Sequence, residues 1–268
     1  MSDPRKQRLS HEDFLRMFNS VEERVSRSSF EAKFERAVSD VRARVRELGD
    51  AAFCWSGGKD AQVLRAVCEA AGIHDCVLGK TVGLEYPAFL QWVTEHMPER
   101  LEVVNTPQDL EWLAAHAHML FPRNATIAAE WFAGVQHEAQ RRFFRRYRLR
   151  VLILGRRRSD GNFVGRGGAN YYTDAKGVTR FSPLADWTHD DVFAAIRYLG
   201  LPLPPFYRWP RGFRCGTHPW PARQWCRDEA HGWSEIYDID PGIVWHAATY
   251  FPGAERELAR RAKSGVRH

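Results

Sequence analysis

The sequence predicts an α/β fold in which a parallel sheet is flanked by helices, and three observations carry the prediction. Short apolar runs, Ala51–Trp55 and Val151–Gly155 above all, have the length and aliphatic content of strands buried on both faces. Longer stretches with apolar residues every three or four positions alternate with them, as helices do when they cross between parallel strands. Glycines at 49, 57, 58 and 155 mark the hand-overs from one element to the next.

Taken in order, Phe14, Met17, Phe18, Val21, Phe30, Phe34, Val38, Val41 and Val45 predict helix from about Ser10 to Leu48, broken at Ser26–Ser29. Gly49-Asp50 stops that helix, and Ala51–Trp55 follows as a strand. After a glycine-rich turn, Ala61–Gly72 reads as a helix presenting Val63, Leu64, Val67 and Cys68 inward. A strand from Asp75, a helix over Tyr86–Met97 and a strand at Leu101–Asn105 repeat the pattern. A long helix is expected from Ala125 to about Tyr147, then the strand Val151–Gly155, then a capped helix over Thr188–Leu199. Beyond Gly200 prolines and tryptophans predict an irregular, aromatic-packed tail. The expected organisation is an N-terminal helical extension (1–50), an α/β domain (51–200) and a C-terminal region (201–268) around one core.

Composition excludes some classes. No run approaches the ~20 apolar residues of a membrane-spanning helix, and the polar N-terminus lacks a secretory signal, so the expected address is the cytoplasm. Five irregularly spaced cysteines argue for reduced thiols rather than a disulfide framework. A net charge of +6, carried mostly by arginine, favours anionic partners.

Ser56-Gly57-Gly58-Lys59-Asp60 lies where a strand hands over to a helix, where amides and the helix dipole converge on an anion. Paired glycines let the backbone approach a phosphate, Ser56 offers a hydroxyl, Lys59 a positive charge, and Asp60 a carboxylate to orient Mg²⁺ or cap the helix. The spacing is neither that of a Walker A loop nor G-x-G-x-x-G. The bland alternative is a capped turn. Arg156, Arg157 and Arg158 follow the second clear strand, where a ligand is expected in such folds; Arg156 and Arg157 are assigned to it, and Arg158 stays open. Arg166, among Gly165, Gly167 and Gly168, is expected to close over phosphates.

The W-S-G-G-K-D stretch resembles the S-G-G-x-D-[ST] PP-loop of ATP pyrophosphatases, with Ala61 where a hydroxyl residue is usual. Val82–Pro87, Leu154–Asp160, Ser182–Thr188 with Asp191-Val192, and Leu201–Tyr207 with Gly212-Phe213 are similar to the segments of the phosphoadenosine phosphosulfate (PAPS) reductase-like family, in its order and spacing. The resemblance implies a Rossmann-like (HUP-type) sheet and an adenine nucleotide alpha-hydrolase. It implies catalytic roles for Lys59, Asp60 and Arg157, and a nucleotide site of Ser56, Gly57, Gly58, Lys59, Asp60, Gly83, Gly155, Arg156, Arg157 and Arg166, with ATP and Mg²⁺ bound. A reductase needs a thiolate from a terminal E-C-G-[LI]-H segment. The chain ends instead in Arg-Arg-Ala-Lys-Ser-Gly-Val-Arg-His, so adenylation with release of pyrophosphate is the leading expectation. Sulfonucleotide reduction and a nucleotide-binding subunit without turnover are the alternatives. No iron–sulfur cluster is expected, because Cys215 has no near cysteine partner; Cys215, His218, Cys226 and His231 fit no standard zinc spacing. Arg141–Arg150 interleaves six arginines with aromatics, which suits a tRNA or DNA acceptor or equally a basic helix end packed on the core. A homodimer or a sulfur-donor protein completes the expected partners.

Overall fold

The computed structural model describes residues 10–80, 82–106, 108–122, 124–134, 138–175, 177–209 and 226–265. Three helices come first: α1 His11–Asn19, α2 Val21–Arg24 and α3 Arg27–Leu48. Ser10 and Ser26 cap α1 and α3 with their hydroxyls, so one break falls at Ser26, inside the serine run, and a second at Ser20 between α1 and α2. Then follow β1 Ala51–Cys54, α4 Lys59–Ala70, β2 Cys76–Lys80, α5 Pro87–His96, β3 Leu101–Asn105 and α6 Leu110–Ala115. The long helix expected over 125–147 is described as two, α7 Ala125–Phe132 and α8 Glu138–Tyr147. After them come β4 Val151–Ile153, β5 Tyr171–Thr173, β6 Thr179–Phe181 and α9 His189–Leu199.

The strands form one sheet in the order β3-β2-β1-β4-β6-β5. All neighbours run parallel except β5, which pairs antiparallel with β6 across a turn at Asp174–Gly177. That edge hairpin departs from the all-parallel expectation. Its strands are three residues long, too short for alternation to show.

Helices α3, α4 and α9 pack together on one face, and α8 covers β2 and β3 on the other. On that second face Phe143 of α8 packs with Ala52 and Val77. The capping box at Thr188 and Asp191 forms as the sequence signals. Asp191 does double service: Lys33 Nζ lies 2.6 Å from it, and Arg24 pairs with the adjacent Asp190 at 2.8 Å. The N-terminal helices are thereby strapped to α9.

The tail expected to be irregular is helical beyond Asp228: α10 Glu229–Ile239, α11 Pro241–Ala247 and α12 Pro252–Gly265. These helices pack around Trp233, Ile236, Val244, Phe251 and Ala254, all buried. Pro241 and Pro252 open their helices, where the missing N–H costs nothing, and Asp228 and Asp240 cap theirs. Residues that read as breakers are therefore helix starts. No helix among the described residues is long and apolar enough to cross a membrane.

Candidate functional site

Strand β1 sits between β2 and β4, so the crossovers diverge on either side of it and a crevice opens at the carboxyl ends of β1 and β4. A cleft of about 280 Å³ occupies this place, with Ser56, Asp60 and Ala61 on one wall and Gly155, Arg156 and Asn162 on the other. Its rim is completed by Gln140 of α8.

The glycine loop turns from β1 into α4 with Gly57 at φ +72°, a left-handed conformation that suits glycine. A β-carbon there would also stand 2.9 Å from Trp92 Cζ3 and 3.0 Å from Phe89 Cε2. Gly58 is the N-cap of α4 in extended backbone. Among the described residues no acceptor meets the amides of Ser56, Gly57 or Gly58. The Lys59 amide, by contrast, donates to the buried Tyr207 hydroxyl at 3.0 Å. One amide of the loop is thus covered by Tyr207, while the preceding ones have no partner among the described residues. Burial pushes the Tyr207 phenol far up, so it stays protonated.

The charges behind the loop form a closed set. Lys59 Nζ lies 2.6 Å from Asp60 Oδ2, and Arg157 Nε lies 2.8 Å from Asp60 Oδ1. The second contact is an ion pair whose N–H is poorly aimed for a hydrogen bond. Burial raises the Asp60 pKa, but the Lys59 and Arg157 cations outweigh it and hold the carboxyl below its usual range. Arg157, with a side chain 0 % exposed, also pairs with Asp160 at 2.9 Å and donates to Ser159 Oγ and the Trp187 carbonyl. His189, beside Arg157, is pushed down to about 4, by burial first and then by the Lys59 and Arg157 cations, and is neutral at pH 7.

Several expected site residues are placed differently from the sequence reading. Arg157, expected beside phosphates, has no exposed surface; it clamps the loop after β1 to the loop after β4 and to the start of α9. Asp60, expected to orient Mg²⁺, has both oxygens on cations. Gly83 belongs to a 3₁₀ turn packed against Gln108 and Asp109, where a β-carbon would lie 3.1 Å from Asp109 Cβ. Arg166 sits on an exposed glycine turn outside the cleft lining. Ser56, Asp60, Gly155 and Arg156 are brought together at the cleft, with Gly57, Gly58 and Lys59 behind them. Arg158, left open, staples Asp186 and the carbonyls of Gly168 and Ala169. No role was legible for Tyr207 or for Gln62, which accepts from Trp55 Nε1 and donates to the Pro202 carbonyl, tying loop, helix and the 201–209 stretch together. His189 was hidden inside a capping signal.

Cys54, Cys68 and Cys76 are held in the thiol form by their surroundings. Burial pushes Cys54 and Cys76 up to about 12 and Cys68 well above its ordinary value. Cys215 and His218 lie outside the described residues.

No curated protein matches the chain. Among solved structures, the phosphoadenylyl-sulfate (PAPS) reductase from Candida auris in its phosphate complex is 16% identical, covering 67% of this chain and 90% of that chain with a TM-score of 0.49. The U34-tRNA thiolase NcsA from Methanococcus maripaludis is 17% identical, covering 90% of this chain and 80% of that chain with a TM-score of 0.40. The NcsA structure carries a [4Fe-4S] cluster, so the expectation that this chain has none, drawn from Cys215 lacking a near cysteine partner, is withdrawn. Among the described residues of this chain no three His, Cys, Asp or Glu side chains form a group able to hold a metal, so they supply no donor set for one. A family model for the phosphoadenosine phosphosulfate reductase domain matches residues 50–215, more than half of the sequence, and the chain belongs to that family.

Proposed function

We propose that the cleft binds ATP and that the enzyme transfers its adenylyl group to an acceptor, releasing pyrophosphate. The observation that carries this reading is the set of amides from Ser56 to Gly58, unpartnered among the described residues, at the N-terminus of α4, beside a cleft at the point where the sheet's connections diverge. Such amides are matched to the terminal phosphates of a nucleotide, and a loop that holds those phosphates stabilises them as a leaving group.

In this scheme an acceptor oxygen attacks the α-phosphorus of ATP. The new oxygen–phosphorus bond forms as the bond to the β-phosphate bridging oxygen breaks, and that oxygen leaves with pyrophosphate; the acceptor's proton passes to solvent. Arg156, half-buried in the cleft wall and bonded to Tyr172, neutralises charge on the reacting phosphate. Lys59 contributes its charge from beneath the loop, fixed by Asp60, while Arg157 keeps Asp60 in place. Chemistry of this type rests on positioning and electrostatics, so preorganised cations suffice for these roles.

Incubation with α-labelled ATP and cell-derived acceptors, followed for AMP, adenylated product and pyrophosphate, tests the proposal. A parallel arm measures sulfite release from PAPS with a dithiol donor. Sulfite release with no ATP binding in equilibrium titration would remove the adenylation reading in favour of reduction.

A further inference from the structure

We infer that the solvent face of α8 is a docking surface for the sugar–phosphate backbone of a single-stranded polynucleotide segment, whose reactive base enters the cleft. The inference names the acceptor class for the adenylation proposed above and rests on that reading.

The two readings of Arg141–Arg150 separate by face. Phe143 is buried against the sheet, so the aromatic spacing belongs to the core. At 3.6 residues per turn Arg141 and Arg145 fall on the side of α8 opposite Phe143, and Arg148 and Arg150 follow the helix end. Arg141, Arg142, Arg145, Arg146, Arg148 and Arg150 are all exposed. Glu138 answers Arg141 and Arg142, and Glu102 answers Arg146. Among the described residues Arg145, Arg148 and Arg150 make no ion pair, so the face carries an excess of positive charge. Guanidinium forks match phosphate oxygens, and Tyr147, 46 % exposed at the same end, adds an aromatic surface.

Position decides among anionic partners. Gln140, one residue before Arg141, lies on the cleft rim and accepts from Arg180. The face therefore begins at the cleft and runs outward: from Arg141 to Tyr147, the last residue of α8, the rise is about 9 Å at ~1.5 Å per residue, and Arg148 follows at the helix end. That length takes a short run of phosphates. A polyanion lying along it has its adjacent base at the cleft mouth. A base stacked in a duplex cannot reach an enclosed site, which selects an unpaired segment. Membrane insertion is disfavoured because the apolar side of α8 is already spent on the sheet.

The test is fluorescence anisotropy with a labelled 12-nucleotide single strand, its duplex, and polyglutamate of equal charge, across a salt series. Wild-type protein is expected to bind the single strand best, with affinity falling as salt rises. Arg141→Gln/Arg145→Gln/Arg148→Gln should flatten the log–log salt slope by about 2, at ~0.7 per phosphate contact, and lose on the order of a hundredfold in affinity at about 50 mM salt. Arg145→Gln alone should flatten it by about 0.7, so the inference stays testable if the triple variant folds poorly. ATP affinity, titrated on the same samples, should be equal in wild type and variants. No binding by wild type at low salt, an unchanged slope in the variants, or equal binding of duplex or polyglutamate would each overturn the inference. Strand binding by a wild-type protein that binds no ATP would leave the docking surface standing and remove the adenylation reading instead.

Discussion

Replacing Arg157 by methionine separates a buried clamp from a ligand-binding arm. Arg157 has no exposed side-chain surface, and it faces Asp60 at 2.8 Å and Asp160 at 2.9 Å. Methionine fills similar space without charge, which leaves Asp60 with Lys59 alone and takes the arginine from Asp160. Removing one partner of a buried ion pair costs ~3–5 kcal/mol. Asp60 and Asp160 are 27 % and 31 % exposed, so water relieves part of the stranded charge, and the lower end, about 3 kcal/mol, is expected. Urea unfolding followed by tryptophan fluorescence should show a midpoint lower by roughly 1 M or more. The sign with pH follows from Asp60, whose folded pKa lies below its usual 3.8 because of Lys59 and Arg157. Its stabilisation is complete above 3.8 and is lost as pH falls through the lower folded value. The variant's deficit should therefore be full at neutral pH and shrink in acid below that range. A loss under about 1 kcal/mol at pH 7, near the worth of an exposed pair, would refute the clamp and return Arg157 to the ligand.

Other outcomes follow from the same geometry. Gly57→Ala should cost about 1–2 kcal/mol from the left-handed backbone alone, with a further penalty against Trp92, and should abolish ATP binding in titration calorimetry. Gly58→Ala, whose β-carbon meets nothing closer than 3.4 Å, should keep both stability and affinity. Tyr207→Phe leaves the buried Lys59 amide without its acceptor, a loss of about 1–3 kcal/mol; added pyrophosphate should then raise its melting temperature more than it raises that of wild type, and equal shifts would contradict the pairing. His189 stays neutral while the unfolded chain takes up a proton near pH 6.5, so stability should fall as pH drops from 6.5 towards 4. His189→Gln should remove about 2 kcal/mol of that pH-dependent change, discounted for partial exposure, in unfolding measured at pH 7.5 and 4.5.

The architecture was legible where a buried run met a glycine: β1 and β4 lie where the residues said, because burial leaves little other use for such runs, while β3, an edge strand, and the Thr188–Asp191 cap were read from apolar content and the capping pattern. The edge hairpin Tyr171–Phe181 was not legible, since three-residue strands carry no period. Nor were α10–α12, where proline and aspartate mark helix starts rather than loops. That Ser56–Asp60 forms the turn from β1 into α4, and that Gly155-Arg156 follows β4, was readable because backbone geometry is a local property. That Arg157 turns inward to Asp60 and Asp160 was not, because its residue type says nothing of which way its side chain turns. The role of Tyr207 depends on a contact spanning 148 positions in sequence, which local patterns do not encode.

A β-carbon on Gly155 would come within 3.4 Å of the Asp60 carbonyl. The first turn of α4 and the loop after β4, which flank the crevice, are therefore already close-packed, with little slack for one to slide against the other. Fit to a ligand has to be gained from side chains and outer segments folding inward over a fixed base. A substitution that pushed this seam apart would be felt as altered reach between the two halves of the bound molecule, even though it touched neither.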